Sequence, residues 1–155
     1  MYTLPNERRG FTLILAVILT SVVLAVSLAL LDIAYKQVIL ASTARQSQYA
    51  FYAADSALEC ALYYDEKLNL FDYTAGALNG QLTCEGQTFN YAMTSPVGSS
   101  RTVTFSIPCT GGGSNSNVTI YKTSLLNRTT IDAVGYNTCS ASSPQRVERG
   151  EKASY

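Results

Sequence analysis

The chain contains no histidine. That absence excludes Ser-His-Asp and Cys-His nucleophilic arrangements and removes the commonest metal ligand. The four cysteines never fall at Cys-x-x-Cys spacing, so a structural zinc site lacks its usual ligand pattern as well. There is no Asp-x-Asp-x-Asp run for calcium. The glycines of Gly111-Gly112-Gly113 are followed by neither the lysine nor the helix start that a phosphate-cradling loop requires. Asp65-Glu66 is an adjacent acidic pair, read as solvated carboxylates near a helix end. The expectation is a protein without catalytic residues, metal or cofactor.

An excess of one charge sign is also missing. Eleven Lys and Arg against 11 Asp and Glu give a formal net charge of zero. A nucleic-acid surface clusters its basic residues, whereas Arg101, Lys122 and Arg128 are scattered, so no nucleic-acid partner is expected.

From Phe11 to Leu31 there is no charge of either sign. At 1.5 Å per residue a helix over this run spans roughly 30 Å, the thickness of a bilayer's hydrocarbon core. A cleaved secretory signal has a shorter apolar region, about 7–15 residues, ending in small residues. Here the helical pattern instead continues beyond Asp32. Neither proline nor glycine interrupts the chain between Phe11 and Gly76. Arg8 and Arg9 stand directly before the apolar run and should stay cytoplasmic, which directs the remainder outward.

Cys60, Cys84, Cys109 and Cys139 all lie in that outward part, where disulfides persist. Four cysteines allow three pairings, and the sequence does not choose among them. Nearness in sequence and the placement of strands favour Cys60–Cys84 with Cys109–Cys139.

Past Asp32 the helix is expected to run to about Tyr64 as a two-faced rod. Ala50, Ala54, Ala57, Leu58 and Ala61 recur at helical spacing on one side. Arg45, Gln48, Tyr52, Asp55, Glu59 and Tyr63 take the other. An alanine stripe lets a sheet come close to the helix axis. Residues 65–80 read as a loop. Strands are expected at Thr88–Met93, Arg101–Ile107, Val118–Lys122 and Thr129–Val134, from alternation and β-branched content. A polar edge strand is expected over Arg146–Tyr155. Turns fall at Pro96–Ser100, Gly111–Asn117 and Ser140–Pro144. Connectors this short favour an antiparallel meander, and the class is α+β, a long amino-terminal helix packed on a small antiparallel sheet.

The segment Arg8-Arg9-Gly10-Phe11-Thr12-Leu13-Ile14 resembles the leader and mature start of the type IV pilin and pseudopilin family. The resemblance implies that a prepilin peptidase cuts between Gly10 and Phe11 and methylates the new amino terminus. It also implies a pilin-like fold, with Cys109 and Cys139 bracketing the last strands, and filament subunits of the same family as partners. At the fifth mature position this chain has Leu15 where the family usually has glutamate, as tip-type minor pilins and pseudopilins also do. Under this resemblance residues 1–10 are the leader and 11–31 the membrane and polymerisation half of the helix. Residues 32–64 are its amphipathic half and 65–155 the β head. The expected location is the cytoplasmic membrane in a single pass, then a cell-surface filament. Two alternatives share the same anchor: an extracytoplasmic binding module that does not polymerise, and a competence pseudopilin for DNA uptake.

Overall fold

The computed structural model describes residues 8–72, 79–94, 100–109, 113–124 and 128–155, with side chains from residue 11 onward. The first seven residues of the expected leader, Gly76 in the expected loop, the turn at 96–99, and Gly111 and Gly112 lie outside the described residues.

Helix α1 runs from Arg8 to Leu62, 55 residues, about 80 Å at 1.5 Å per residue. From Phe11 onward the absence of proline and glycine leaves its hydrogen-bond ladder without a breaker. A π-helical turn, Tyr63–Lys67, follows, so the helical chain outlasts the expected end at Tyr64. The chain divides into two compact units, residues 1–43 and residues 44–155.

In the first unit every described side chain is exposed. Its few hydroxyls are satisfied within the helix: Thr20 donates to the Val17 carbonyl at 3.0 Å, Ser21 to Ile18 at 2.8 Å and Ser27 to Val23 at 2.8 Å. Such bonds cover these hydroxyl hydrogens on an apolar helix. Asp32 is paired with Lys36 one turn on, at 2.7 Å.

The second unit holds the carboxy-terminal turns of α1 and a six-stranded antiparallel sheet. Its strands are β1 Asn79–Cys84, β2 Gln87–Met93, β3 Ser100–Ile107, β4 Asn115–Thr123, β5 Arg128–Tyr136 and β6 Glu148–Ser154. They lie in chain order, the meander that short connectors favour. Strands β2 to β6 overlap the expected positions. Strand β1 was not among the expected strands, its first two residues falling in the expected loop, and it is closed on β2 by the two-residue turn Glu85-Gly86. Both turn residues have positive φ (53° and 73°), the conformation that matches a hairpin's right-handed twist.

Alternation puts one side of the sheet against α1. Leu82, Val103, Val118, Ile120 and Ile131 are buried there, with Phe71 from the segment after the helix. Each large side chain so buried contributes about 1.5–3 kcal/mol. Ala50, Ala54, Ala57 and Ala61 of the expected stripe are fully buried, Leu58 is half-buried, and Ala53 joins them. Because alanine adds little bulk, the helix backbone itself meets the sheet at Gly135.

Candidate functional site

The residues expected to carry function fall into two groups, one along the first unit's helix and one in the second unit. Arg8, Arg9 and Gly10 form the first turn of α1. Phe11 is 72% exposed and Leu15 49% exposed. From Phe11 onward the helix is long and apolar enough to cross a membrane. Its surface of Leu, Ile and Val has no protein cover, so water is the unfavourable neighbour and lipid or another apolar helix the favourable one. Among the described residues of this helix the carboxylate next along the chain from Leu15 is Asp32, roughly 25 Å away, and it already holds Lys36.

Both favoured disulfides are present. Cys60 of α1 is bonded to Cys84 of β1, and Cys109 after β3 to Cys139 after β5. The first fastens the helix to one edge of the sheet. The second joins two connectors at one end of the sheet. An oxidising, extracytoplasmic setting for this unit follows from the paired thiols.

Asp65 corrects a sequence expectation. Read as solvated, it is 3% exposed and pointed inward by the π-helical turn. Its carboxylate forms an ion pair with Lys122 of β4 and accepts a hydrogen bond from the Tyr155 hydroxyl at 2.6 Å. Tyr155 is held in turn by reciprocal backbone bonds with Thr129, 2.8 and 3.1 Å. One buried acid thereby links the end of the helix, a central strand and Tyr155. Burial first, and then the Asp65 hydrogen bond and charge, push the Tyr155 phenol well above its ordinary 10.0. The sequence signal was poor, since Asp65 sits beside an exposed Glu66 and its partners are remote in the chain.

Strand β6 is fastened to the helix by its polar side chains. Arg149 donates from Nε to Ser47 Oγ at 2.6 Å. Glu151 faces Asp55 of α1, and burial together with that neighbouring carboxylate raises the Glu151 pKa. In the connector that leads into β6, Arg146 stacks on the Tyr136 ring at 3.8 Å. Of the three scattered cations, Arg101 is buried and donates to the Asp72 carbonyl, Lys122 is engaged by Asp65, and Arg128 donates to Ser154 at 3.3 Å. Among the described residues no cluster of three or more Cys, Asp or Glu side chains is placed to hold a metal.

Fold and site together define an α+β protein with a membrane-length amino-terminal helix and a disulfide-fastened antiparallel sheet. The chain matches no protein-family model, no curated protein and no solved structure.

Proposed function

We propose that this chain is a minor subunit of a type IV pilus-like filament, acting at the tip or in the initiation of assembly. The observation that carries the reading is the single helix from Arg8 to Leu62. Its charge-free exposed half follows a basic, glycine-ended leader sequence, and its alanine-lined half is seated on a sheet. One helix therefore supplies a bilayer anchor, an apolar surface for packing against other subunits, and the support of a displayed head. A prepilin peptidase acts between Gly10 and Phe11, and the partners are other pilin-type subunits.

Leu15 gives the reading its position in the filament. A methylated amino terminus at Phe11 stays positive, and an unpaired charge among packed apolar helices is costly. A neighbour's carboxylate at the fifth position offsets that cost. A subunit with leucine there offers nothing to a subunit above it, yet its own amino group is still accommodated by a glutamate below. That asymmetry suits the top of a filament. Installing the carboxylate tests it: Leu15→Glu is expected to raise the number of copies per filament or to move labelled heads away from the tip. Unchanged copy number with unchanged tip labelling contradicts the position.

Leu15 also favours a second reading, an anchored binding module that never polymerises. The two part on whether the mature chain is recovered from sheared filaments or only from membranes.

A further inference from the structure

The ladder between β2 and β3 holds three pairs, Tyr91↔Phe105, Ala92↔Thr104 and Met93↔Val103, although both strands continue past it. Where the pairing stops a cleft of about 860 Å³ opens, within the size range of small-ligand sites. Asn79, Gln81, Asn90, Thr104 and Ser106 give it a polar wall. Beneath it Phe89 and Phe105 stack with centroids 5.5 Å apart and close it from the core side, both almost fully buried.

None of the described lining residues is charged. The outward side of the first four strands continues in the same character, through Thr83, Thr88, Asn117, Thr119 and Tyr121. Charge on this side enters at β5, where Asp132 is already paired with Lys152 at 3.0 Å.

That chemistry discriminates among ligand classes. Phosphates and nucleic acids need cations, which the wall lacks. A peptide added as a strand needs a long free sheet edge, whereas the unpaired stretches here are short, Gln87–Asn90 of β2 and Ser106–Ile107 of β3. A lipid tail would leave the amides of Asn79, Gln81 and Asn90 without partners. A neutral polyhydroxylated ring fits the uncharged amide and hydroxyl wall. Every Asn or Gln amide offers two donors and a carbonyl acceptor, complementary to hydroxyls that both donate and accept. Ser106 already donates to Asn117 Oδ1 at 2.8 Å, which leaves its oxygen turned to accepting. We infer that the β2–β3 cleft binds a neutral oligosaccharide.

The test uses the full chain in a zwitterionic detergent, since sugar-headed detergents would compete. Cellohexaose, mannohexaose and chitohexaose are titrated by ligand-observed NMR, with an oligogalacturonate as the acidic control. At least one neutral hexasaccharide is expected to bind with Kd below about 1 mM. Asn90→Ala and Gln81→Ala should each weaken it about fivefold, the equivalent of one hydrogen bond, without moving the thermal midpoint. Thr130→Ala on β5 should leave it unchanged. No binding of the three neutral probes at about 5 mM, tightest binding by the acidic control, or wild-type affinity in both cleft variants overturns the inference. None of these outcomes depends on processing at Phe11, so this proposal and the filament reading succeed or fail separately.

Discussion

Gly135 of β5 lies directly beneath the backbone of α1 between Ala50 and Ala54. A Cβ placed on it would overlap the Ala50 carbonyl oxygen and the Ala54 amide nitrogen, and would come within 2.9 Å of the Ala53 carbonyl carbon. The atoms in the way are main chain and have no rotamer to change. Gly135→Ala is therefore expected to cost about 3 kcal/mol, the upper part of the usual overpacking range. Gly150→Ala on β6, whose added Cβ meets only ordinary contacts at 3.7 Å and beyond, should stay within about 0.5 kcal/mol of wild type. Thermal or denaturant unfolding of the two variants side by side checks both values, and equal midpoints would mean the helix is not seated on Gly135.

The Asp65 linkage predicts a hierarchy of losses. Asp65→Ala leaves Lys122 without its buried partner and should cost about 3–5 kcal/mol. Tyr155→Phe removes one hydrogen bond from a partly exposed group and should cost about 1.5 kcal/mol. Combining Asp65→Leu with Lys122→Met removes both charges together and should cost less than Asp65→Ala alone. The Tyr155 phenol is raised above its ordinary 10.0, so the stability it contributes is fully present below that pH and is lost as pH climbs through the raised value. Alkaline unfolding curves of wild type and Tyr155→Phe should then converge; curves that stay parallel would contradict the contact.

Glu151 predicts a pH effect on the acid side. Burial, then the charge and hydrogen bond of Asp55, raise its carboxyl from the ordinary 4.5. The folded state thus holds this proton more tightly than the unfolded chain. The stabilisation is complete below pH 4.5 and fades as pH rises through the raised value. Glu151→Gln mimics the protonated form at every pH. Its midpoint should match wild type in acid and exceed it by a growing margin toward about pH 7. A margin that does not change with pH would remove Asp55 as the cause.

The cysteine pairs are tested by chemistry and by stability. Peptide mapping without reduction should recover Cys60 with Cys84 and Cys109 with Cys139, and no free thiol. Replacing Cys109 and Cys139 by serine should cost about 2–4 kcal/mol, since the bridge closes a loop between residues 30 apart in sequence. Free thiols in the folded protein, or a midpoint indifferent to the double replacement, would contradict the pairing.

Much of this architecture was legible in the sequence for identifiable reasons. A charge-free run without proline or glycine from Phe11 has one low-energy form, and the alanines at helical spacing mark the face that Ala50, Ala54, Ala57 and Ala61 bury. Arg101–Ile107 alternates apolar and polar over its length, and β3 follows it. Strand β1 was hidden because only Leu82 and Cys84 of Asn79–Cys84 are buried, too few to set a period. Asp65 was misread because burial of an acid is decided by partners remote in the chain, here Lys122 and Tyr155, and not by its exposed neighbour Glu66. The β2–β3 cleft arises where a ladder stops, and strand propensities carry no record of that.

The central claim is that the mature chain begins at Phe11 as a filament subunit. Intact mass and amino-terminal sequencing of the protein recovered from its native membrane test it most directly. The account predicts an N-methylated Phe11 at the start, with residues 1–10 removed. A chain that still begins at Met1, or one cut beyond Leu31, would contradict it and leave a signal anchor or a released domain in its place.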